Sequence, residues 1–252
     1  MLSSEIILVS GAGGILGQQI VREIVGQNGN VIATDIDTDK TTNLFQALPS
    51  EQVQFVPMDI TDAESVVRAI ARGIKQFGAV DACVNSAYPR SKNWGTVLEN
   101  LTMEDIQEHL KLQLGGAILL SQRLMKHFIS QGHGNFIQLS SIQGIAAPKF
   151  EHYEGTSMYS SVEYSVAKAG IISMTRWLAK YYKNNNIRVN CVSPGGILDQ
   201  QPQSFLEKYR DSCTSKGMLD PTDVAGTVLF LLSDQSIYIN GQNIVIDDGW
   251  SL

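Results

Sequence analysis

Residues that bind metals or form disulfides are scarce in this chain, since its 252 residues include three cysteines and four histidines. Cys83, Cys191 and Cys213 lie far apart, and neither they nor the histidines have the spacing of metal ligands. We therefore expect no metal site. An odd and sparse set of cysteines is typical of a reducing compartment, so we expect a cytoplasmic location.

Basic runs and long apolar runs are also missing. The formal net charge of -6 argues against a protein that binds nucleic acid. No apolar run approaches the roughly 20 residues that cross a bilayer, so we expect no membrane association. The apolar stretch Ile6–Val9 follows the first residues without a basic n-region, and we expect no signal peptide.

What the chain does contain is an alternation of short Val/Ile/Leu runs with longer amphipathic segments. Near-continuous runs of this kind are typical of parallel strands that are buried on both faces. The predicted strands are Glu5–Ser10, Asn30–Asp35, Val53–Pro57, Val80–Asn85, Gly134–Ser140, Ile187–Ser193 and Asn243–Ile246. The predicted helices are Leu16–Gly26, Thr38–Leu48, Asp62–Gln76, Thr102–Ser130, Ser161–Lys183, Gln203–Cys213 and Thr222–Ser233.

This order predicts one α/β domain over residues 1–252. Right-handed crossovers between the strands give a Rossmann fold, in which a doubly wound, seven-stranded parallel sheet carries helices on both faces. Two stretches without a regular pattern, Tyr88–Gly95 and Gln143–Ser160, follow the carboxyl ends of strands. Ligands bind at those ends in sheets of this type, so we expect the functional site there.

A glycine-rich turn joins the first strand to the first helix. Glycines allow a close approach of the backbone to a pyrophosphate, and a helix N-terminus offers free N–H groups and the positive end of a dipole. The residues predicted to contact a dinucleotide here are Gly11, Gly13, Gly14, Ile15, Leu16 and Gly17. A glycine-rich turn alone would be a weak signal, but here it lies between a strand and a helix.

An acidic residue ends the second predicted strand. Asp35, with Ile36 after it, stands 24 residues beyond Gly11, where a carboxylate can bind both ribose hydroxyls of adenosine. It would repel a 2′-phosphate, so NAD(H) is predicted over NADP(H). The alternative is that Asp35 only caps a turn. Asp59 and Ile60 are candidates for the adenine edge, with an N-terminal cap of the next helix as the equal alternative.

Tyr164 and Lys168 lie four residues apart on a predicted helix, and therefore on one face of it. A lysine ammonium beside a phenol favours the phenolate, so we expect the pKa of Tyr164 to fall from about 10 towards neutrality. Tyr164 would then be a proton donor or acceptor at working pH. Together with a dinucleotide-binding turn, the pair indicates hydride transfer, whereas alone it could be an ordinary surface pair.

At this point the chain resembles the short-chain dehydrogenase/reductase family over almost its whole length. The match is carried by Gly11, Gly14 and Gly17, Asp35, Asp59, Asn85-Ser86-Ala87, Ser140-Ser141, Tyr164 and Lys168, Pro194-Gly195-Gly196-Ile197, Asn240-Gly241-Gln242 and Asp247-Asp248-Gly249. The resemblance implies that Ser141 binds the reacting oxygen, that Tyr164 is the acid/base, and that Lys168 holds the nicotinamide ribose. It also implies cofactor contacts from Asn85, Ser86 and Ala87 on the adenosine side and from Pro194, Gly195, Gly196 and Ile197 at the nicotinamide.

Five features depart from the usual pattern of this family. Ile15 stands at a usual glycine, Tyr88 replaces the last glycine of Asn-Asn-Ala-Gly, and Asp199 stands at a frequent threonine. Gln113 occupies the position of the asparagine that supports a proton-relay water. Finally, Ser141 and Tyr164 are 23 residues apart, which predicts an enlarged loop beside the active site.

Substrate residues are predicted on this enlarged loop and after the fourth strand. Tyr88, Arg90, Ser141, Gln143, Lys149 and His152 are the candidates. If the cationic ones converge, with Lys92, they form a pocket for a phosphorylated or carboxylated sugar; the alternative is a solvated loop surface. The resemblance is strongest to dehydrogenase-like members that are associated with sialic-acid-like sugars such as legionaminic acid, which implies a sugar or sugar phosphate as substrate.

The leading interpretation is an NAD-dependent oxidoreductase that interconverts a secondary alcohol and a ketone. Two alternatives stay open: a redox-neutral epimerase or dehydratase of sugar nucleotides, favoured by the glycine spacing, and a catalytically silent NAD-binding protein. The resemblance also implies that the long helices Thr102–Ser130 and Ser161–Lys183 pair across a two-fold axis, giving a homodimer or homotetramer.

Overall fold

The computed structural model describes residues 2–252, the side chains of residues 38 and 40 excepted. Its strands are β1 Ile6–Ser10, β2 Asn30–Asp35, β3 Val53–Pro57, β4 Ala82–Asn85, β5 Gly134–Leu139, β6 Ile187–Pro194 and β7 Asn243–Ile246. Its α-helices are α1 Ile15–Gly26, α2 Thr38–Leu44, α3 Ala63–Phe77, α4 Met103–Leu110, α5 Gly116–Gln131, α6 Val162–Tyr181, α7 Gln203–Asp211 and α8 Pro221–Leu232. The predicted strand bounds agree with these within two residues.

All seven strands pair in parallel in the order β3-β2-β1-β4-β5-β6-β7. The chain starts in the middle of the sheet, since Ile7 pairs with Val31 of β2 on one side and with Ala82 of β4 on the other. Winding then proceeds outwards in both directions, which confirms the predicted doubly wound Rossmann fold. The two strands that diverge from β1 leave a crevice at their carboxyl ends.

Helices cover both faces of the sheet and define two cores. On one face, α1 and α8 pack on the sheet through Ile20, Ile24 and Val228. On the other face, α3 and α5 contribute Val66, Leu124 and Phe128, and α6 joins them. The strands are buried from both sides, which is why they carry Val and Ile without a polar face.

The predicted long helix over 102–130 is wrong in one respect, because it is interrupted. A wider π-helical turn, Lys111–Gly115, separates α4 from α5. Gly116, directly after that turn, lies against Ile60, and a Cβ there would approach the Ile60 side chain to 2.9 Å. The interruption brings Gln113 towards the segment that follows β4. Within residues 2–252, no helix is long and apolar enough to span a membrane.

The two stretches predicted to be irregular lie at the carboxyl edge of the sheet. The segment after β4 contains no regular element before a short 3₁₀ turn at Leu98–Asn100. The enlarged loop after β5 contains two more 3₁₀ turns, Ile142–Gly144 and Phe150–His152. Both segments therefore frame the crevice that the sheet topology creates.

Candidate active site

A cavity of about 770 Å³ opens at the carboxyl edge of the sheet. It extends from the glycine-rich turn and the end of β2, past the ends of β4 and β5, to α6 and α7. Most of the site residues predicted from the sequence line this single space.

The glycine-rich turn packs tightly against the start of the segment after β4. Gly11 has a positive φ of 70°, and a Cβ there would come within 2.6 Å of the Ala87 Cα. At Gly17, a Cβ would collide with the Gly11 carbonyl oxygen, so α1 can begin directly above the turn only with glycine. No side chain caps the N-terminus of α1 at Gly14. The N-terminal N–H groups of α1 are therefore suited to a phosphate group.

Asp35 fixes the lip of the cavity beside this turn. Its carboxylate accepts hydrogen bonds from the backbone N–H of Gly13 and of Ile36, both at 2.8 Å. Asp35 and Ile36 both line the cavity, and 73% of Ile36 is exposed. Asp35 thus ties β2 to the turn and also presents a negative charge to the cavity, so the two interpretations of this residue are compatible.

Asp59 and Ile60 also line the cavity, below Asp35. The Asp59 carboxylate accepts from the backbone N–H of Thr61 at 2.8 Å and from the Thr61 hydroxyl at 2.7 Å. The cap of α3 itself is Asp62, which accepts from the backbone N–H of Glu64. Asp59 therefore shapes the turn before α3 rather than capping that helix.

The residues predicted after β4 separate into two groups. Ser86 and Ala87 line the cavity. Asn85 does not: it is buried, it accepts from the Ser10 hydroxyl at 2.7 Å, and it donates to Gln138 at 3.1 Å. Asn85 thus links β4 to its two neighbouring strands, β1 and β5. Because its side chain does not line the cavity, this geometry does not support the expected direct contact with a cofactor.

The residues at and after the end of β6 form another wall of the cavity. Pro194, Gly195, Gly196 and Ile197 line the cavity, as does Asp199. The Gly196 N–H donates to the Tyr209 hydroxyl at 2.7 Å, which ties this wall to α7. Since α7 covers the cavity from above, its position is coupled to the wall against which a nicotinamide would lie.

Ser141, Tyr164 and Lys168 meet in the middle of the cavity. Ser141 stands two residues after β5 and accepts from the Gln143 N–H at 3.1 Å. The Lys168 ammonium donates to the Leu139 carbonyl at 3.1 Å and lies 5.5 Å from the centre of the Tyr164 ring. One turn of α6 therefore places a phenol and an amine beside the end of β5, as the spacing predicts.

The expected fall in the Tyr164 pKa is wrong for this structure. Burial raises the pKa of Tyr164 above its usual value of 10, and a hydrogen bond with Ser141 and the charge of Arg90 offset that rise only in part. Burial also lowers the pKa of Lys168 to about 8. The amine is engaged with a strand carbonyl and not with the phenol, so burial sets the direction of both pKa shifts.

Gln113 lies outside the cavity, although it was predicted to be catalytic. It is 3% exposed, and its side-chain amide donates to the Pro89 carbonyl oxygen. The expected relay role is not supported by this geometry, because the amide is turned towards the segment after β4. Gln113 instead fastens the segment that carries Tyr88 and Arg90.

The candidate substrate residues do not all converge. Tyr88, Arg90, Gln143 and His152 line the cavity. Lys149 does not, and its ammonium lies 4.9 Å from the centre of the Trp250 ring. The cluster of cations that the sequence suggested is therefore wrong with respect to Lys149.

His152 and Gln143 are held in place by neighbours within the enlarged loop and α7. His152 is 2% exposed and forms a hydrogen bond of 2.9 Å with Ser212, and burial lowers its pKa. It is therefore neutral at neutral pH. Gln143 accepts from the Ser160 hydroxyl at 2.8 Å. Both side chains shape the wall of the cavity and add no charge to it.

Several lining residues were not predicted from the sequence. Aromatic and apolar side chains close the end of the cavity around α7, among them Met158, Phe205, Tyr209 and Met218. Phe205 and Tyr209 are one helical turn apart, so the apolar face of α7 was the available signal. For Tyr159 and Ser161 the sequence held no such signal, because the enlarged loop has no periodicity.

A Rossmann sheet, a glycine-rich turn and a Ser/Tyr/Lys set in one cavity define a nucleotide-dependent oxidoreductase of the α/β class. A family model described as enoyl-(acyl carrier protein) reductase matches residues 11–251. The chain belongs to the short-chain dehydrogenase/reductase family, and it is an oxidoreductase.

Individual relatives align over almost the full chain. Post-translational flagellin modification protein A of Campylobacter coli is 47% identical over 256 residues, with all of both chains covered. The 7alpha-hydroxysteroid dehydrogenase of Bacteroides fragilis is 30% identical, covering 99% of this chain and 95% of the relative. Among solved structures, a short-chain dehydrogenase of Leptospira borgpetersenii with bound NAD+ is 28% identical with a TM-score of 0.88, covering 100% of this chain and 94% of that one.

Proposed function

We propose that this protein is an NAD(H)-dependent dehydrogenase or reductase that interconverts a secondary alcohol and a ketone on a sugar derivative. The observation that carries the proposal is that Ser141, Tyr164 and Lys168 share one cavity with the glycine-rich turn and Asp35. A dinucleotide extended along that cavity would place its reactive ring beside the phenol of Tyr164. Proximity and orientation of this kind supply much of an enzyme's rate enhancement.

The residues of the site have distinct roles in this proposal. When bound, the nicotinamide cofactor would supply the hydride acceptor or donor. Ser141 donates a hydrogen bond to the substrate oxygen, and Tyr164 takes the hydroxyl proton in oxidation or returns it in reduction. Lys168 binds the nicotinamide ribose with its ammonium. The raised pKa of Tyr164 leaves the phenol protonated at neutral pH, which suits it to donate a proton in the reductive direction.

A preference for NAD(H) over NADP(H) is proposed from the charge at the lip of the cavity. Asp35 is held there by Gly13 and Ile36, so it cannot turn away from a ribose. Arg90 and Lys168 are the only lysine or arginine residues among the described residues that line the cavity, and both lie near Tyr164. A 2′-phosphate would therefore meet a carboxylate without a compensating cation. The NAD+ bound in the Leptospira relative agrees with this choice.

A sugar derivative is proposed as substrate on two grounds. The relative with 47% identity is a flagellin modification protein, and the sequence resemblance implies sialic-acid-like sugars. The cavity wall beside Tyr164 is aromatic, since the rings of Tyr88 and Trp94 each lie edge-on to it at 5.5 and 5.6 Å. Such a wall suits the apolar face of a pyranose ring, while Gln143 and Ser141 offer polar partners.

Self-association into a dimer or tetramer is proposed from the surface of α5 and α6. Val166, Trp177 and Tyr181 on α6 are 52%, 58% and 64% exposed, and Ile118 on α5 is 51% exposed. Trp177 stacks on Tyr181, so these two rings form one exposed apolar patch, and such patches often mark interaction sites. The two helices contact each other through Ser121 and Met174, so their exposed faces are neighbours.

The proposal is tested by following absorbance at the NADH band. Purified protein receives NAD+ or NADP+ with amino sugars, sugar phosphates or nucleotide-activated sugars. NADH should form with one class of sugar and with NAD+ in preference to NADP+. Tyr164→Phe should reduce turnover by about 10²–10⁴-fold while NAD+ binding is retained, because the variant lacks only the transferable proton.

Tyr238→Phe is the matched control, since Tyr238 is 96% exposed and outside the cavity, and it should leave turnover unchanged. Unaltered turnover in Tyr164→Phe would overturn the acid/base assignment. Tight NAD+ binding without net NADH from any sugar would favour the epimerase or the silent binding protein.

A further inference from the structure

Arg90 lines the same cavity as Tyr164 and lies beside Tyr88. Its guanidinium carbon is 5.3 Å from the centre of the Tyr88 ring, and that ring lies 5.5 Å from the Tyr164 ring. Its charge lowers the pKa of Tyr164, so the two groups interact electrostatically. Arg90 and Tyr164 therefore both contact the ring of Tyr88.

No carboxylate neutralises Arg90. None of the ion pairs among the described residues includes it, although the chain carries an excess of acidic residues. Arg90 is exposed and shares a hydrogen bond with the Tyr88 side chain, and its remaining donors stay available for a ligand. The planar arrangement of those donors matches a phosphoryl or carboxylate group, which two parallel hydrogen bonds can hold.

The segment that carries Arg90 is held in place by contacts with α4 and with the π-helical turn after it. Gln113 donates to the carbonyl of Pro89, the residue before Arg90. Four residues later, Trp94 stacks on the fully buried His109 ring at 5.1 Å with an interplanar angle of 19°. Tyr88 lies edge-on to Trp94 at 5.5 Å. Arg90 therefore projects from a preformed wall, which lowers the entropic cost of binding.

The other candidate cations contact other groups or are uncharged. Lys149 lies over Trp250 outside the lining, and His152 is neutral because burial lowers its pKa. Lys168 is engaged with the Leu139 carbonyl beside Tyr164. Among the described residues that line the cavity, Arg90 is therefore the cation that stands beside Tyr88 and outside the Ser141, Tyr164 and Lys168 set, which favours one anionic substituent placed away from the reacting carbon.

We infer that Arg90, supported by the ring of Tyr88, binds an oxyanion substituent of the substrate, a phosphoryl or carboxylate group, and so selects anionic over neutral sugars. This inference rests on the proposed function for the identity of the cavity as a substrate site. It adds the chemical class of the substituent and the residue that recognises it.

The test measures binding and needs no turnover. Wild-type protein saturated with NADH is titrated calorimetrically with glucose, glucose 6-phosphate and glucuronate, each as its methyl glycoside, because a glycoside has no free aldehyde that the reduced cofactor could reduce. The wild type should bind at least one anionic sugar more tightly than glucose. Arg90→Gln should weaken that binding by about 10- to 100-fold and leave glucose affinity within about twofold.

Lys92→Gln is the matched control, because Lys92 is an exposed cation two residues away that does not line the cavity. Its affinities should equal those of the wild type. A preference for glucose 6-phosphate alone identifies a phosphoryl site, and a preference for glucuronate alone identifies a carboxylate site. Equal affinity for all three sugars, no binding of either anionic sugar, or an equal loss in Lys92→Gln would overturn the inference. None of these results bears on the acid/base role of Tyr164, which the turnover of Tyr164→Phe tests separately.

Discussion

The amine of Lys168 carries its charge in a place that is nearly closed to water. Only 4% of the residue is exposed, and a single backbone carbonyl, that of Leu139, accepts a hydrogen bond from it. Burial lowers its pKa to about 8, compared with 10.5 for a free lysine. The buried charge of Lys168 therefore lowers the free energy of unfolding at neutral pH, while it keeps a cation beside Tyr164. Ionisable groups with shifted pKa values of this kind are common at active sites.

This energetic cost predicts how stability depends on pH. The folded-state pKa of Lys168 lies below the unfolded value, so the destabilisation is fully present below about pH 8 and is relieved between about pH 8 and 10.5. Lys168→Met should raise the stability at about pH 7 by up to about 3 kcal/mol, and by less at about pH 9.5. Thermal unfolding of both proteins at the two pH values measures the difference.

Lys180→Met serves as the control for this prediction, since Lys180 is exposed on the same helix. It should show no such dependence on pH. A Lys168→Met protein that is less stable than the wild type at neutral pH, or whose advantage stays constant with pH, would show that burial does not penalise this charge.

Among the larger elements, the interruption between α4 and α5 has the clearest consequence for the site. The apolar spacing of the sequence continues through residues 111–115, so it favours one unbroken helix. The π-helical turn depends instead on contacts between distant segments, namely Gly116 against Ile60 and Gln113 against Pro89. Periodicity cannot reveal such contacts, whereas it did predict the strands, whose Val and Ile content follows from burial on both faces.

The same element yields a prediction for Gln113. Gln113→Ala removes the hydrogen bond to the Pro89 carbonyl and leaves the segment with Tyr88 and Arg90 less constrained. For the sugar found in the NADH assay, we expect KM to rise by about 3- to 30-fold with a smaller change in kcat, because the loss affects positioning and not proton transfer. Steady-state kinetics over a range of sugar concentrations measures both.

Gln107→Ala is the matched variant, since Gln107 is exposed on α4 and does not line the cavity. Its kinetics should equal those of the wild type. If Gln113→Ala lowered kcat and left KM unaltered, and also changed the pH profile of kcat, Gln113 would act in proton transfer and the relay expectation would return.

Over the whole molecule, the residues that the sequence located well are those attached to the regular elements of the sheet. Gly11, Asp35 and Ser141 follow the carboxyl ends of strands, and Tyr164 stands on a helix with a clear pattern, so the topology alone brings them together. The far end of the cavity was not predictable in this way. Trp250 and Tyr209 meet there only because the C-terminal segment and α7 pack on each other.

The side-chain positions of the enlarged loop were likewise not predictable from the sequence. The sequence left open whether its cations converge, and in the structure Lys149 lies over the ring of Trp250 and does not line the cavity. Two hydrogen bonds connect the backbone of the loop to α7: the Lys208 ammonium donates to the carbonyls of Glu151 and Glu154 at 2.8 and 3.1 Å. Contacts of this kind link residues more than 50 positions apart, and nothing in the local sequence indicates them.

The exposed apolar face of α5 and α6 gives the prediction for the assembled protein. Trp177 stacks on Tyr181 at 4.5 Å, and more than half of each side chain is exposed. If this face is buried between subunits, Trp177→Asp places an unpaired charge in an apolar interface and should convert the oligomer to a monomer. Analytical ultracentrifugation measures the mass.

Val67→Asp, an equivalent change at a 43% exposed position on α3, should leave the mass unaltered. A monomeric wild type, or an oligomer that survives Trp177→Asp, would assign this face to another role.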